Sequence, residues 1–404
     1  MSETFVNGPI NTFRLEGKIE GIKKVIYIFM DHHVDVMNQT KCGNIKSLDF
    51  HEYLVKTFDE LSGKQRTVDF FMEIVPTDII SYPSIYKNRY IEEVKEVFVE
   101  AFNYNPEENV VGKSKIFPNV RLHYIDIRHL YYDNIGEMFI ILLNINKSVL
   151  NNMEQISGMF NSIVDKVNSF QKKLEDSTND DSTIKNIQKI PTIPNKEASY
   201  TNEEIEGKMS ELINKIKNRY KHPKIKNVIA QLIQNEIINH LNLFNSKTTN
   251  LHNLINASKI HLSNAPLHIF DKTSSDIDYG LPAKICRSID NDFFNLITDC
   301  NNHLRNAYTM FTDLFFLRRF LDKDEVTNGI VYTGGYHSAN YIYVLVKHFD
   351  FKITNYSTLM QKYTLDKLHE LIKNADHSND IKKYIFPENR IQCSDLSNFP
   401  KHFE

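Results

Sequence analysis

The 404-residue chain contains no tryptophan and only four cysteines, Cys42, Cys286, Cys300 and Cys393. They form no CxxC pair and no zinc-finger spacing. A cysteine-built metal module is therefore excluded, and a reducing, intracellular setting is the simplest expectation. No apolar run is long enough to span a bilayer, and the first residues lack the basic-then-apolar order of a secretory signal. Charge of one sign is also missing. Lys and Arg total 48 against 51 Asp and Glu, a net charge of −3, which gives no electrostatic drive toward general nucleic-acid binding. A Walker loop, a GxGxxG turn, a GxSxG elbow and an HExxH helix are all absent. These absences argue against the commonest nucleotide-binding, serine-hydrolase and zincin classes.

Hydrophobic residues make up 41% and charged residues 25%, so the chain can bury a proper core. Its length suits one large domain or two ordinary ones. Residues 24–29 read as an apolar, β-branched strand covered on both faces, the stretch from Ile330 as a short buried strand, and 67–76 and 120–128 as further core strands. A further strand is expected near 351–354, and a short strand or ribbon near 13–17. Helices are expected over 49–61, with Asp49 as cap, and over 90–101, 290–320, 337–349 and 360–374. This order predicts an α/β fold: a mostly parallel sheet with flanking helices. The middle of the chain differs. Residues 136–174 and 203–262 carry helical periodicity, with Pro223 starting a new helix, and a polar loop lies near 175–202. We therefore expect an N-terminal part of the core at 1–136, an all-helical insertion at 137–265, and the rest of the core with a polar tail at 266–404. A separate helical domain is the alternative.

Two strands end in histidine-bearing turns, Met30-Asp31-His32-His33 and Thr333-Gly334-Gly335-Tyr336-His337. Ligands collect at the C-terminal edge of open α/β sheets. The Gly pair is expected to allow positive φ, and Ser338 to cap the helix that follows. Glu73, Asp126 and Arg128 end the other strands. His33, Glu73 and His337 can ligate a metal or move a proton. Arg128 would bind an anionic group or stabilise an oxyanion, and Asp31 and Asp126 would orient the histidines. Such a set suits hydrolysis, by a metal-bound water or by a histidine or glutamate base. Each residue also has an ordinary structural reading, as a core histidine, a helix cap or half of an ion pair.

The two histidine turns, with Glu73 and Arg128, resemble the superfamily of the TIKI/TraB proteins, the ChaN-like lipoproteins and the erythromycin esterases. Gly334-Gly335-Tyr336-His337 matches the second motif of that group. The first motif matches only in its histidine, since Met30 stands where glycine is usual. Arg305 is similar to an arginine of the TraB branch. The resemblance implies an α/β hydrolase acting on a peptide or small-molecule ester, with Gly334, Gly335 and Arg305 near the substrate and a divalent Mn, Co, Fe or Zn ion in some branches. In texture, rich in Asn, Ile and Lys, the chain is also similar to the uncharacterised proteins of giant DNA viruses, which implies host cytoplasm or the virion. The competing expectation is a catalytically silent scaffold that binds a protein partner through its helical insertion. Neither reading involves nucleic acid or a membrane.

Overall fold

In a computed structural model of the protein, residues 4–34, 38–64, 66–73, 90–102, 113–127, 153–176, 202–263, 280–357 and 362–403 are described. The chain divides into two compact units. The first comprises Met1–His129, Tyr220–Val228 and Thr312–Glu404, and the second Leu130–Arg219 and Ile229–Phe311.

The strands of the first unit are β1 (Phe5–Asn7), β2 (Pro9–Ile19), β3 (Ile22–Asp31), β4 (Leu48–Asp49), β5 (Val68–Met72), β6 (Val120–Tyr124), β7 (Asn328–Gly334), β8 (Lys352–Ser357) and β9 (Cys393–Asp395). Its main sheet has the order β6-β5-β7-β3-β2-β8. The four strands from β6 to β3 are parallel, whereas β2 runs antiparallel to both β3 and β8. The mixed α/β class is as expected, but the sheet is less uniformly parallel. The cause is local: Glu20 and Gly21 both take positive φ and fold β2 back on β3 as a hairpin. Such a turn can join only antiparallel strands. A small second sheet has the order β4-β1-β9.

Helices α1 (Phe50–Glu60) and α2 (Tyr90–Ala101) cover one face of the main sheet. Asp49 begins α1 in a capping box with Glu52. Phe70 meets Phe58 and Phe98 on this side. The neighbouring Phe71 points the other way, as strand alternation demands, and meets Phe316. All five rings are fully buried, each contributing about 1.5–3 kcal/mol.

In the second unit every described element is helical. They are α3 (Met153–Glu175), α4 (Asn202–Asn218), the last residues of α5 (Pro223–Leu232), a π-helical stretch (Ile233–Ile238), α6 (Asn239–Ser263) and the first part of α7 (Gly280–Asp322). No helix among the described residues is long and apolar enough to cross a membrane.

From Thr312 onward α7 belongs to the first unit, where it shares the second sheet face with α8 (Gly335–Phe349). The buried Lys24 of β3 donates its ammonium to the carbonyls of Phe320, Lys323 and Val326 at 3.0, 2.7 and 2.6 Å. A cation is favourable at a helix C-terminus, and this one ties the end of α7 to the middle of the sheet. Burial lowers the Lys24 pKa to about 8.

The C-terminal segment, expected to be a featureless polar tail, is structured. It follows α9 (Leu365–Lys373), adds α10 (Ser378–Ile385) and β9, and buries Leu396 and Phe403 in the core. It is also covalently tied, because Cys393 of β9 is bonded to Cys42 across 351 residues of sequence. This departs from the expectation of unpaired, reduced cysteines. Spacing along the chain says nothing about partners that far apart.

A cross-link closing so long a loop restricts the unfolded chain, with typical stabilisation of 2–4 kcal/mol. Reduction, or the Cys42→Ser/Cys393→Ser double variant, is expected to lower stability by about that amount. Urea denaturation with and without reductant measures it, and the double variant should show no further response to reductant.

Candidate active site

Because β7 lies between β5 and β3, the residues that follow these three strands are neighbours. Glu73 follows β5, Gly334 ends β7, and Asp31 ends β3 just before His33. The Glu73 carboxylate is buried, and its Oε2 accepts from Thr333 Oγ1 at 2.6 Å and from the Gly334 backbone N–H at 2.5 Å. Charge-assisted bonds of this kind offset much of the cost of burying a carboxylate. One imidazole stands on each side of it. His337 Nε2 is 3.4 Å from Oε1 and His33 Nε2 is 3.8 Å from Oε2.

Each imidazole is held from behind by a second buried carboxylate. His33 Nδ1 is 2.8 Å from Asp31 Oδ2, and His337 Nδ1 is 2.5 Å from Asp313 Oδ1. Asn340, one turn along α8 from His337, donates its amide to the other oxygen of Asp313. The result is a chain of alternating acids and bases: Asp31–His33–Glu73–His337–Asp313. With Nδ1–H given to Asp313, a neutral His337 would turn a lone pair toward Glu73. A proton shared between Nε2 and Oε1 would make this contact favourable.

The electrostatics differ along this chain. Burial lowers the His33 pKa, but Asp31 and Glu73 together outweigh it and raise the value to about 10. His33 is thus an imidazolium at neutral pH. Its side chain keeps 34% of its surface exposed, so solvent screens part of this effect. His337 is only 12% exposed. Burial pushes the Asp313 carboxyl up, and His337 and Asn340 pull it part of the way back. The charged group open to solvent is His33, and the buried end of the chain is His337–Asp313.

His33, Glu73 and His337 are brought together as expected, and Asp31 orients a histidine. The His32 carbonyl accepts from Gln392 Nε2 at 3.2 Å. Asp126 is buried just past β6, and the position it was expected to fill, at a histidine Nδ1, is filled by Asp313. Arg305 is an exposed residue of the second unit. Arg128 lies outside the described residues. Asp313 escaped the sequence reading as a site residue, although it left a signal. It is the one charged residue of Met310-Phe311-Thr312-Asp313-Leu314-Phe315-Phe316, and a charge in so apolar a helix must have a partner.

The two glycines do a different job from the one expected. Gly334 has φ −59° and ψ 154° as the N-cap of α8, which therefore begins at Gly335, three residues before Ser338. The constraint is space. A Cβ on Gly334 would lie 3.0 Å from His33 Nε2 and 3.4 Å from Glu73 Oε2, and one on Gly335 would lie 2.5 Å from the Phe386 ring. Met30 is fully buried behind Gly335.

No group of three or more His, Cys, Asp or Glu side chains with metal-holding geometry occurs among the described residues. The donor chemistry at Glu73 nonetheless has one feature of such centres, since carboxylates commonly back the histidines that bind metals.

Residues 4–404 match a family of unknown function, DUF5847. The chain belongs to that family. Similar proteins include "Uncharacterized protein R706" of Acanthamoeba polyphaga mimivirus, 37% identical over 422 residues that cover 99% of this chain and 97% of the relative. "Uncharacterized protein R161" of the same virus is 35% identical over 436 residues, covering 99% and 98%. No solved structure matches the chain. The DUF5847 match and these relatives support kinship with giant-virus proteins. They do not extend to the TIKI/TraB–ChaN–erythromycin esterase group. Near-complete coverage means that the family resemblance includes the helical unit as well as the sheet.

Two outcomes follow from this geometry. Gly335→Ala is expected to cost about 1–3 kcal/mol, as an overpacked core position does, whereas Gly334→Ala should displace His33 and lower its pKa. Denaturation and NMR titration of the imidazoles measure these effects. For His33 the folded pKa is raised, so its contribution to stability is complete below about pH 6.5 and disappears as pH rises through about 10. The stability gap between the wild type and His33→Gln should shrink over that interval, which denaturation at pH 6, 8 and 10.5 tests.

Proposed function

We propose that the chain is a hydrolase of ester or amide bonds whose centre is the Asp31–His33–Glu73–His337–Asp313 chain. The observation that carries this reading is the sharing of one buried carboxylate by two imidazoles, each backed by another carboxylate, at the strand edge where α/β folds bind ligands. Structural histidines need one partner each. Five alternating groups, with one imidazolium reaching solvent, provide a route for protons.

In this mechanism His33, held protonated, is the general acid. A water oxygen bonds to the acyl carbon, and its proton passes to the Glu73–His337 pair. The bond to the leaving oxygen or nitrogen breaks as that atom takes the His33 proton. Transfer along Glu73 then reprotonates His33. Asp31 and Asp313 fix the tautomers, and Gly334 leaves the approach to His33 Nε2 open. Where a divalent ion takes part, as in some branches of the TIKI-like group, His33, Glu73 and His337 would hold it, and it would activate the water.

The test is hydrolysis of a panel of p-nitrophenyl esters and chromogenic peptides, with and without chelator. Glu73→Gln and His33→Gln should each reduce turnover about 100-fold or more, the usual scale for removing acid–base catalysis. The wild-type rate should also fall as pH rises through about 10, where His33 loses its proton. Equal rates in the wild type and both variants would refute the assignment.

A further inference from the structure

The Cys42–Cys393 bond takes no part in the proposed chemistry, yet its neighbours reach the turn that carries His33. The link is Gln392, which precedes Cys393 and is buried. Its side-chain oxygen accepts from the Thr40 backbone N–H at 3.1 Å, and its own backbone N–H donates to Thr40 Oγ1 at 2.8 Å. Its side-chain amide donates to the His32 carbonyl at 3.2 Å, and its carbonyl accepts from the Gly8 N–H at 3.0 Å. One residue thus fastens the loop at 38–47, the junction of β1 with β2 and the histidine turn to the C-terminal segment.

A second observation concerns that loop. None of residues 38–47 is buried, so no apolar side chain anchors it. Apart from the Gln392 bonds, its ties include the Cys42 N–H to Asn7 Oδ1 at 2.8 Å, the Tyr90 hydroxyl to the Thr40 carbonyl at 3.1 Å, and Lys41 to Asp49 at 3.0 Å. Segments held this way open locally at low cost, and the covalent bond is the strongest tie the loop has. The bond is also within reach of solvent. Cys393 is buried but Cys42 is not, and both line an open surface depression with Phe5, Gly43, Asn44 and Ile45.

We propose that the Cys42–Cys393 bond is a thiol–disulfide exchange site, reduced in the folded protein by a thiol such as glutathione, and that its reduction loosens the turn that carries His33. An incoming thiolate bonds to Cys42 Sγ, the reachable sulfur, as the bond to Cys393 breaks. Cys393 leaves as a thiolate and takes a proton. A second thiol then displaces the first from Cys42, which is protonated in turn. Two reductant thiols become one disulfide, and the protein gains two electrons and two protons. With the cross-link gone, the Thr40–Gln392 pair opens with the loop, and Gln392 no longer holds the His32 carbonyl in place. An oxidising compartment keeps this clamp closed and a reducing one releases it. The proposal concerns the position of the turn and does not depend on the hydrolytic reading.

The experiment places the full-length protein, without denaturant, in graded mixtures of reduced and oxidised glutathione. Alkylation and mass spectrometry measure the reduction of Cys42 and Cys393. NMR follows amide exchange and the imidazole carbon resonances. The two cysteines should be reduced together while β3, β5 and β7 keep their exchange protection. The Thr40, Cys42 and Gln392 amides should then exchange about tenfold faster or more, and the His33 ring resonance should shift while that of His123, on β6, stays in place. The Cys42→Ser/Cys393→Ser variant should match the reduced protein and ignore glutathione. Gln392→Ala should move the His33 resonance with the cross-link intact, and circular dichroism checks that both variants are folded. Reduction that occurs only as the core strands lose protection overturns the exchange site. Reduction of the folded protein with the His33 resonance unmoved overturns the link to the histidine turn, whatever happens at Thr40.

Discussion

Glu73 places a carboxylate at the edge of the sheet with almost no water around it, and the arrangement nearby follows from that charge. An unpaired carboxylate in such a place would give up its ionisation. Here the Thr333 hydroxyl, the Gly334 amide and two imidazoles surround it. Each imidazole then brings a further carboxylate, so the charges are arranged in alternation and not as one isolated pair. The strand order makes this possible. Inserting β7 between β5 and β3 delivers the Glu73, Gly334 and His33 positions side by side, although some 260 residues separate the last two strands of the trio along the chain.

Tight packing enforces the same arrangement. Neither Gly334 nor Gly335 has a backbone conformation reserved for glycine; both are glycine because a neighbour occupies the space a Cβ would need. The ring against Gly335 is Phe386, from the C-terminal segment, and Gln392 of that segment holds the His32 carbonyl. Residues of the C-terminal segment thus help set the position of both the turn that carries His33 and the turn that leads to His337. Lys24 does something similar on the far side of the sheet, fixing the end of the helix that supplies Asp313.

Much of this was legible in the residues. Apolar β-branched runs located β3, β5, β6 and β7, and ionisable residues at their ends located His33, Glu73 and His337. Asp49 and Pro223 marked helix starts. What escaped has physical causes. Asp313 reaches the site from a helix face, and the rule that read strand ends could not find it. The antiparallel β2 was short on signal because its residues are buried on both faces, and such a run does not reveal the direction of its partners. The tail looked polar because only a few of its side chains, among them Phe386, Leu396 and Phe403, anchor it. The Cys42–Cys393 bond joins residues no spacing rule relates.

That bond also changes what a broken chain would be. It closes a ring through residues 42–393, within which lie β4 to β8, the turn that leads to His337 and the whole helical unit. A single backbone cut anywhere inside the ring leaves two pieces that remain one molecule under oxidising conditions. Topologically the protein is a closed loop with two tails, the first of which carries β1 to β3 and the His33 turn, and nicking the loop once opens it without dividing the molecule.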